Sequence, residues 1–410
     1  MPDNQLTFQL ASLFEALTDA GPDDVCLVAG PVRMTRRELD DRANRLAHHL
    51  LAAGVKPGEL VGIHSYNRVE YVEALLGCWK ISAAPVNLNY RYVADELRYV
   101  WNDASLTAMI AERTFVPLLN ELHAEFPDTR TYLLLEDGTS HEPEFSATPY
   151  EEALAAQPAE RGFGTERRAD DHYVLYTGGT TGMPKGVVWR HEDIFFAGMG
   201  GGSYFEPITA PEEIVKNATE PTLPLNILAT SPLMHGTGQW VTFISIFSGG
   251  SRACTRREAS TRRRSSTPVL PRGPEPVADR RRDGRAVDRG DRAPARDLSQ
   301  LMAIGNGGAV LSAPTRERLN QVLPGRIIND GYGAPETGAA GIGIDAKAGV
   351  DGARFSIDAR TSVLDPDTLE PVPLGEKGMM ARTGHIPLGY LNDEEKTAAT
   401  FRTDARGRGG

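Results

Sequence analysis

Cysteine is scarce in this chain: only Cys26, Cys78 and Cys254 occur, and they are odd in number and far apart. Such a set provides neither the paired framework of a disulfide-rich secreted protein nor the closely spaced ligands of a structural metal site. The first four residues, Met-Pro-Asp-Asn, also lack the basic start of a secretion signal. We therefore expect a cytoplasmic protein.

Long apolar runs and an excess of positive charge are missing as well. No stretch approaches the roughly eighteen apolar residues that cross a bilayer, so we expect no integral membrane association. Lysine and arginine number 44 against 55 aspartates and glutamates, and the formal net charge is −11. This charge argues against a general binder of nucleic acid or anionic membranes. The 410 residues suffice for a large core and more than one folding unit.

What the sequence does contain is an ordered run of glycine and threonine, Tyr176 to Gly186, which reads YTGGTTGMPKG. Glycine lets main-chain N–H groups approach an anion and adopt positive φ, threonine adds hydroxyl donors, and lysine supplies a mobile cation. Residues 173–176 predict a strand before the run, and 186–189 predict a second strand that leads into a helix from about Glu192. The run is therefore a loop between strands that can wrap a polyphosphate.

Two other interpretations of this loop compete with that one. A Gly/Thr-rich segment can be a flexible turn, but hydroxyls, proline and lysine in one ordered run argue against this. In a P-loop, the lysine directly follows the last glycine and a helix begins at once. Here Met183 and Pro184 intervene, and proline disfavours entry into a helix at that point. The sequence favours a phosphate loop of another class.

With its continuation Trp189-Arg190-His191-Glu192-Asp193-Ile194, the loop resembles the adenylate-forming superfamily, in particular actinobacterial long-chain fatty-acyl and steroid-side-chain CoA ligases. That family activates a carboxylic acid with ATP and Mg²⁺ to an acyl-adenylate and then passes the acyl group to coenzyme A. The resemblance covers about residues 8–250 and 298–404. It implies an α/β fold whose large N-terminal domain has parallel sheets covered by helices and carries a small β subdomain.

The residue pattern predicts the same fold class. Thr35 and Glu38 form a capping-box pattern ahead of a helix that ends near Gly54. A strand at 60–64, a helix at 68–80 and a strand at 84–87 then make a βαβ unit, which predicts a parallel sheet. The pattern continues with a helix at 96–103, strands at 106–111 and 132–135, and a polar surface connection at 137–170.

The resemblance assigns roles to the phosphate loop and to a glutamate far along the chain. The loop residues that would bind the nucleotide are Thr177, Gly178, Gly179, Thr180, Thr181 and Gly182. Lys185 would be a catalytic cation. Glu336 would bind Mg²⁺ together with Thr181, because a hard cation that bridges phosphates needs a carboxylate oxygen. Thr337 would also be catalytic.

A second segment, 301–338, would hold the adenine. Its pattern predicts a strand at 301–305, a turn, a helix from Ser312 or Ala313 to Leu323 and a strand at 326–329, and ligands bind at strand ends of parallel sheets. By resemblance, the adenine site comprises Gly307, Gly308, Ala309, Asp330, Gly331, Tyr332 and Gly333. In it the Asp330 carboxylate helps to hold the amino group, and the Tyr332 ring stacks on the base.

One position inside this segment departs from the family. The family usually carries Thr or Ser directly before the glutamate, where the hydroxyl touches the α-phosphate, and here that position is Pro335. Proline has neither a hydroxyl nor an N–H to donate. We expect weakened phosphate binding, for which Thr337 compensates in part.

His235 stands at a glycine-flanked junction between a strand and a helix. By resemblance, His235, Gly236 and Trp240 belong to the acyl pocket, although a lone histidine beside glycine is more often structural. Residues 240–247 predict a buried helix that would wall an apolar tunnel or serve core packing equally well. The apolar wall favours a fatty or steroid-derived acid over an amino acid.

Residues 251–296 are dense in arginine and contain no lysine, isoleucine or aromatic residue. Such a composition is typical of disorder, and we expect it to bury no strand or helix face. Clustered arginine is also a footprint of RNA binding. A third explanation is out-of-frame reading of GC-rich DNA between two compensating frame errors, which sequencing of the coding DNA would test.

The end of the chain completes the division into domains. We assign 1–345 to the N-terminal core, 346–404 to a small β subdomain with strands near 354–357, 362–365 and 378–382, and 405–410 to a tail. The family's mobile C-terminal domain, which carries a catalytic lysine, is absent from the sequence, so we expect slow or no adenylation and no thioester formation. The alternatives are a non-catalytic nucleotide-binding module and a product that does not fold.

Overall fold

The structure is a computed structural model that describes residues 6–177, 182–203, 206–221, 223–250, 252–254, 298–309, 311–344 and 355–402. Its helices are α1 (Leu10–Ala20), α2 (Arg36–Ala52), α3 (Val69–Lys80), α4 (Ala94–Asp103), α5 (Val116–Leu122), α6 (Tyr150–Ala155), α7 (His191–Ala197), α8 (Lys216–Thr219), α9 (Gly236–Phe247), α10 (Ala313–Val322) and α11 (Glu394–Thr400). Short 3-10 helices lie at Arg113–Phe115, His123–Glu125, Gly200–Gly202 and Pro211–Val215.

The strands are β1 (Val25–Ala29), β2 (Val32–Thr35), β3 (Leu60–His64), β4 (Ala84–Asn87), β5 (Ala108–Glu112), β6 (Thr131–Leu135), β7 (Thr148–Pro149), β8 (His172–Thr177), β9 (Lys185–Arg190), β10 (Ile227–Ala229), β11 (Arg252–Cys254), β12 (Ala303–Gly307), β13 (Ile327–Ala334), β14 (Gly338–Ile344), β15 (Ser356–Ile357), β16 (Thr361–Leu364), β17 (Met379–Arg382) and β18 (Gly389–Tyr390). They form sheets in the orders β4-β3-β5-β6-β7, β10-β11-β1-β2, β18-β9-β8, β12-β13-β14-β15 and β16-β17.

The five-stranded sheet β4-β3-β5-β6-β7 is parallel throughout. α3 connects β3 to β4, so the predicted βαβ unit is confirmed. The predicted capping box also forms ahead of α2: Glu38 N–H donates to Thr35 Oγ1 at 3.2 Å, and Thr35 N–H donates to Glu38 Oε2 at 2.8 Å. Two free N–H groups at the helix start thereby gain acceptors.

Alternate residues of the central strands enter two different hydrophobic cores. On β5, Ala108 and Ile110 pack in a core with residues of α1, α2, α3 and α9, whereas Met109 and Ala111 pack in a core with residues of α4 and α5. The same alternation recurs on β6 and β8. Because strand side chains point to opposite faces with a period of two, helices cover this sheet on both faces. The predicted α/β class is confirmed.

A buried ionic cluster joins the first three helices. The Lys80 side chain is 0% exposed, and its Nζ lies 2.6 Å from both Glu15 Oε1 and Asp40 Oδ1. Two arginines add further partners, Arg167 to Glu15 at 2.6 Å and Arg161 to Asp40 at 2.8 Å. A buried ammonium is costly unless it is paired. The cluster therefore ties α1, α2 and α3 to the segment that precedes β8.

The predicted surface connection at 137–170 is wrong in part, because it contains β7 and α6. Tyr150 is buried, and its hydroxyl donates to Glu73 Oε2 at 3.0 Å. Ala153 and Leu154 on the same helix are buried as well. Their spacing of three and four residues from Tyr150 is helical, but acidic neighbours and nearby prolines obscured a pattern of only two turns.

Three further expectations need correction. β13 runs from Ile327 to Ala334, so 330–333 lie within a strand and not after its end. The antiparallel partner β14 was not predicted; it continues β13 as a hairpin. In the arginine-rich tract, β11 pairs in parallel with both β1 and β10, so three of its residues form a strand, which the composition did not predict. That the tract buries no strand or helix face stays a prediction. The remaining residues of that tract, 251 and 255–296, lie outside the described residues.

Strand pairs also cross the predicted boundary between 345 and 346. β15 pairs with β14, and β18 pairs with β9, while β16 and β17 form a two-stranded antiparallel sheet. The division of the chain into domains stays a prediction. Among the described residues, no helix has both the length and the apolar character that spanning a bilayer requires.

Candidate nucleotide and acid site

The predicted phosphate loop joins β8 to β9, which form an antiparallel hairpin. Thr177 pairs with Lys185 at the mouth of the hairpin, and Tyr176 pairs with Gly186. A Cβ on Gly186 would lie 2.9 Å from the Tyr176 ring, so this position needs glycine. The loop residues Gly178, Gly179, Thr180 and Thr181 lie outside the described residues, and Gly182 is the first described residue after them.

Asn87 holds this hairpin against the five-stranded sheet, and the sequence interpretation missed it. The side chain is 5% exposed, its Nδ2 donates to the carbonyls of Tyr176 at 2.9 Å and Met234 at 2.7 Å, and its Oδ1 accepts from Tyr176 N–H at 2.7 Å. One buried amide thus fixes the phosphate-loop strand and the residue before His235. The available signal was a polar residue at the carboxyl end of a buried strand.

The other edge of the hairpin pairs with β18. Tyr390 pairs with Val187, and Leu391 N–H donates to the Gly186 carbonyl at 2.7 Å. The Lys185 Nζ lies 5.3 Å from the centroid of the Tyr390 ring. The nearby ammonium of Lys396 lowers the pKa of Lys185. Two ammonium groups therefore lie at the mouth of the loop, with the carboxylates of Asp393 and Glu336 near Lys185.

The structure brings Glu336 to the same place. Its Oε1 accepts from the Tyr390 hydroxyl at 3.0 Å, so Lys185 and Glu336 contact one tyrosine. Among the described residues, no three His, Cys, Asp or Glu side chains gather as a protein-only metal site. Mg²⁺ commonly takes one or two carboxylates and completes its shell with phosphate oxygens and water. A half-buried single carboxylate fits that role, and Glu336 would hold the ion.

Apart from Asp330, the predicted adenine residues form an exposed strip along β12, the two residues that follow it, and β13. Gly307 pairs with Gly331, and Gly307, Gly308 and Ala309 are exposed. The Tyr332 side chain beside them is 44% exposed, with its ring 5.5 Å from that of Phe355. Gly333 is next on the strand. Exposed glycine main chain beside an aromatic ring is suited to stacking of a base.

Asp330 is buried, and its contacts are internal to the sheet. Its Oδ1 accepts from Asn306 Nδ2 at 3.0 Å, and its Oδ2 accepts from Arg316 Nη2. Both oxygens therefore already have donors. The contact between Asp330 and an adenine amino group stays a prediction, and the observed contacts lock β12, α10 and β13 together.

Thr337 and Pro335 lie in the turn between β13 and β14. The Thr337 Oγ1 accepts from Ala334 N–H at 3.0 Å and donates to the Gly338 carbonyl at 3.2 Å. The Pro335 carbonyl accepts from Trp189 Nε1 at 2.9 Å, which fastens the turn to β9. The Thr337 hydroxyl is thus used within the turn. Its contact with a phosphate stays a prediction.

The predicted acid-pocket residues begin α9. His235 is the exposed N-cap residue, and partial desolvation and the charge of Arg91 lower its pKa. Trp240 is 8% exposed and packs on Gly236, where a Cβ would lie 3.0 Å from Cζ2 of the indole. Trp240 therefore closes the core beneath the helix start.

Two contacts place this helix start in the site. The Thr237 Cγ2 lies 3.8 Å from where a Cβ of Gly307 would stand, so the start of α9 adjoins the adenine strip. Asn67, which the sequence interpretation also missed, accepts from Leu233 N–H at 2.7 Å and donates to the Ser231 carbonyl at 3.1 Å. Together with Asn87, it holds the segment that leads to His235.

Comparison with known proteins decides the family. The family model described as AMP-binding enzyme matches residues 14–391. The chain belongs to this family. The 3-oxocholest-4-en-26-oate–CoA ligase of Rhodococcus rhodochrous is 40% identical to this AMP-binding enzyme over 97% of the chain and 73% of its own length. A medium/long-chain-fatty-acid–CoA/3-oxocholest-4-en-26-oate–CoA ligase of Mycobacterium tuberculosis H37Rv is 37% identical, with the same two coverages.

Solved structures show the fold of this AMP-binding enzyme. The N-terminal domain of FACL13 from Mycobacterium tuberculosis has a TM-score of 0.72 at 19% identity and covers 98% of this chain and 94% of its own. A long-chain-fatty-acid–CoA ligase from Archaeoglobus fulgidus has a TM-score of 0.72 at 16% identity, with coverages of 98% and 79%. The predicted family and fold are confirmed. The use of ATP with Mg²⁺ and of coenzyme A is confirmed at the level of the family.

Proposed function

We propose that this protein is an ATP-dependent acid–CoA ligase for fatty or steroid-side-chain carboxylic acids. In the first step, a carboxylate oxygen attacks the α-phosphorus of ATP, the acyl–phosphate bond forms, and pyrophosphate leaves. In the second step, the sulfur of coenzyme A attacks the acyl carbon and AMP leaves. The observation that carries the proposal is the meeting of Lys185 and Glu336 on Tyr390 at the mouth of the β8–β9 hairpin.

Each group has a part in the first step. Lys185 would balance negative charge that develops on the phosphates, and Glu336 would hold Mg²⁺ against them, which is where most of the rate enhancement in phosphoryl chemistry arises. The exposed strip around Tyr332 would hold the adenine. His235, which borders this strip through Thr237, would line the entry of the acid. The substrate class is taken from the acids named for the relatives at 37–40% identity.

A cytoplasmic location completes the proposal. Among the described residues, Cys26 and Cys78 are buried free thiols. Burial raises the pKa of Cys26 to about 12, and it raises the pKa of Cys78 as well. Such thiols are unreactive and suit a reducing compartment.

We further propose that adenylation is slow in this chain. Pro335 supplies no hydroxyl at the position where the family usually has one, and the Thr337 hydroxyl is used in its own turn. A missing hydrogen-bond donor to a charge that develops in the transition state typically costs about a hundredfold or more in rate. Pro335→Thr should therefore raise the adenylation rate, by about tenfold if half of that effect is recovered.

ATP–pyrophosphate exchange with a long-chain fatty acid, and separately with 3-oxocholest-4-en-26-oate, tests the function. We expect slow exchange in the unmodified chain and a further loss of about a hundredfold or more in Lys185→Ala. Lys56→Ala, which removes an exposed lysine in a turn, is the matched control and should leave the rate unchanged. Equal rates in all three proteins would contradict the proposed role of Lys185.

Pro335 also favours a second candidate, a nucleotide-binding module without catalysis. Mass spectrometry of the chain incubated with ATP and acid distinguishes the two. Acyl-adenylate supports the ligase, whereas ATP binding without acyl-adenylate in both the unmodified chain and Pro335→Thr supports the module. A product that does not fold would show no cooperative melting transition.

A further inference from the structure

Tyr390 lies in a segment that the proposed function leaves without a role. Its backbone pairs with Val187 of β9, and its N–H donates to Thr397 Oγ1 at 2.9 Å. The residue is therefore fixed by the hairpin on one side and by α11 on the other. A side chain held from two directions can orient the groups that it touches.

Two contacts of this side chain lead into the nucleotide site. The hydroxyl donates to Glu336 Oε1 at 3.0 Å, and the ring face lies 5.3 Å from Lys185 Nζ. Lys185 is 151 residues before Glu336 in the chain and 205 before Tyr390. The Tyr390 side chain therefore lies against both the proposed cation and the proposed metal ligand.

We propose that Tyr390 is a positioning residue that orients the Glu336 carboxylate for Mg²⁺ and supports the Lys185 ammonium beside the phosphate loop. This inference builds on the proposed function, because it needs a nucleotide with Mg²⁺ at this place.

The chemistry of the two contacts explains the orientation. A glutamate on a turn can rotate about three bonds, and a hydrogen bond to Oε1 selects one orientation while Oε2 stays available to a cation. Partners that orient a metal ligand typically change metal affinity by about ten- to a hundredfold when they are removed. An ammonium above an aromatic ring is attracted by the negative ring face, which here opposes repulsion from the neighbouring Lys396.

The test is equilibrium binding of ATP by calorimetry, once with MgCl₂ and once with EDTA. Tyr390→Phe keeps the ring and removes the hydroxyl. We expect it to lower the gain in ATP affinity that Mg²⁺ provides by about tenfold and to leave the affinity in EDTA within about twofold. Tyr132→Phe, a hydroxyl deletion on β6 in the five-stranded sheet, is the control and should match the unmodified chain in both buffers.

Glu336→Ala and the double variant Tyr390→Phe/Glu336→Ala locate the effect. If the hydroxyl acts through Glu336, the Mg²⁺-dependent gain is already lost in Glu336→Ala and the second change adds nothing. An additional loss in the double variant would mean that Tyr390 acts elsewhere and would overturn the inference. So would a Tyr390→Phe protein whose Mg²⁺ dependence equals that of the unmodified chain.

The ring contact has its own readout. Tyr390→Leu should weaken ATP binding in EDTA as well, by about two- to fivefold relative to Tyr390→Phe, because the cation–π attraction is lost. Equal ATP affinities of the Leu and Phe variants in EDTA would overturn the inference that the Tyr390 ring supports the Lys185 ammonium. If the unmodified chain melts cooperatively but binds no ATP in either buffer, the proposed function itself is wrong. The Tyr390 variants alone cannot give that result, so the two failures can be told apart.

Discussion

Two sheets of this protein differ in what they bury. In the five-stranded sheet, all residues of β4 and β5 are buried, whereas β12 of the β12–β15 sheet alternates between exposed and half-buried residues. The first sheet is covered by helices on both faces, and the second exposes backbone at Gly307 and the ring of Tyr332. The comparison shows that one region is largely buried, whereas the other exposes the groups that we propose bind the nucleotide.

The β8–β9 hairpin connects these two regions. On one side, Asn87 and two hydrophobic cores hold β8. On the other side, β18 and the turn that carries Glu336 contact β9 and its Lys185. Glycine within a strand weakens packing but lets other groups approach the backbone. At Gly333 that group is the Gly338 carbonyl, which leaves no room for a Cβ, whereas Gly307 and Gly331 have no neighbour closer than 3.6 Å to where a Cβ would lie.

The largest expected effect is a difference in stability between the two regions. The Trp101 ring is stacked 4.5 Å from Phe126, and its Nε1 donates to Thr129 Oγ1 at 2.9 Å. Trp101→Ala should lower the free energy of unfolding by about 3–5 kcal/mol, since it leaves a cavity. Met302→Ala, at a side chain 72% exposed before β12, should change it by less than about 0.5 kcal/mol. If urea unfolding shows the same loss of unfolding free energy for both variants, the two regions do not differ in their contribution to stability.

A second prediction concerns acid and the buried charges of the first region. Burial alone would raise the pKa of Glu15, but Lys80 and Arg167 bring it down from 4.5 to about 2. The stabilising contribution is present above about pH 4.5 and is lost as the pH falls through 2; it amounts to at most about 3 kcal/mol. Unfolding curves between pH 7 and 2 should show this loss.

Replacement of Lys80 tests whether its ammonium lowers the pKa of Glu15. In Lys80→Met, the carboxylates of Glu15 and Asp40 lose their buried partner, so the protein should be less stable at pH 7. This deficit should shrink as the pH falls, because the pKa of Glu15 is no longer held down by Lys80. Lys56→Met, at an exposed turn, is the matched control. An acid profile that is the same in Lys80→Met and the unmodified chain would show that Lys80 does not lower the pKa of Glu15.

The smallest effect on stability is expected where the two regions meet. Asn87→Ala leaves two carbonyls and one N–H without their buried partner, which should cost about 2 kcal/mol and weaken ATP binding as the hairpin loosens. Asn89→Ala, two residues later and half-buried, removes only an acceptor for Arg91 N–H. If thermal melting and ATP calorimetry show the same loss for both variants, Asn87 has no special role in the hairpin.

Local patterns predicted much of the first region. The strands at 60–64 and 84–87 have the predicted bounds, and the capping box at Thr35 forms as expected. These elements have a clear period and strong boundary signals, such as glycine and proline turns. In the second region, glycine-rich strands carry few apolar residues, so the extension of β13 and all of β14 gave no comparable signal.

The sequence by itself determined the family, the α/β class, the strand–loop–strand around the glycine-rich run and the residue types that phosphate and Mg²⁺ need. Those features are encoded within short windows of the chain. Only the tertiary structure decided that Asn87 hydrogen-bonds to the hairpin and that the Thr337 hydroxyl makes its hydrogen bonds within its own turn. It also decided that Tyr390 contacts both Lys185 and Glu336. Such contacts depend on which strands pair across more than a hundred residues, and no local pattern carries that information.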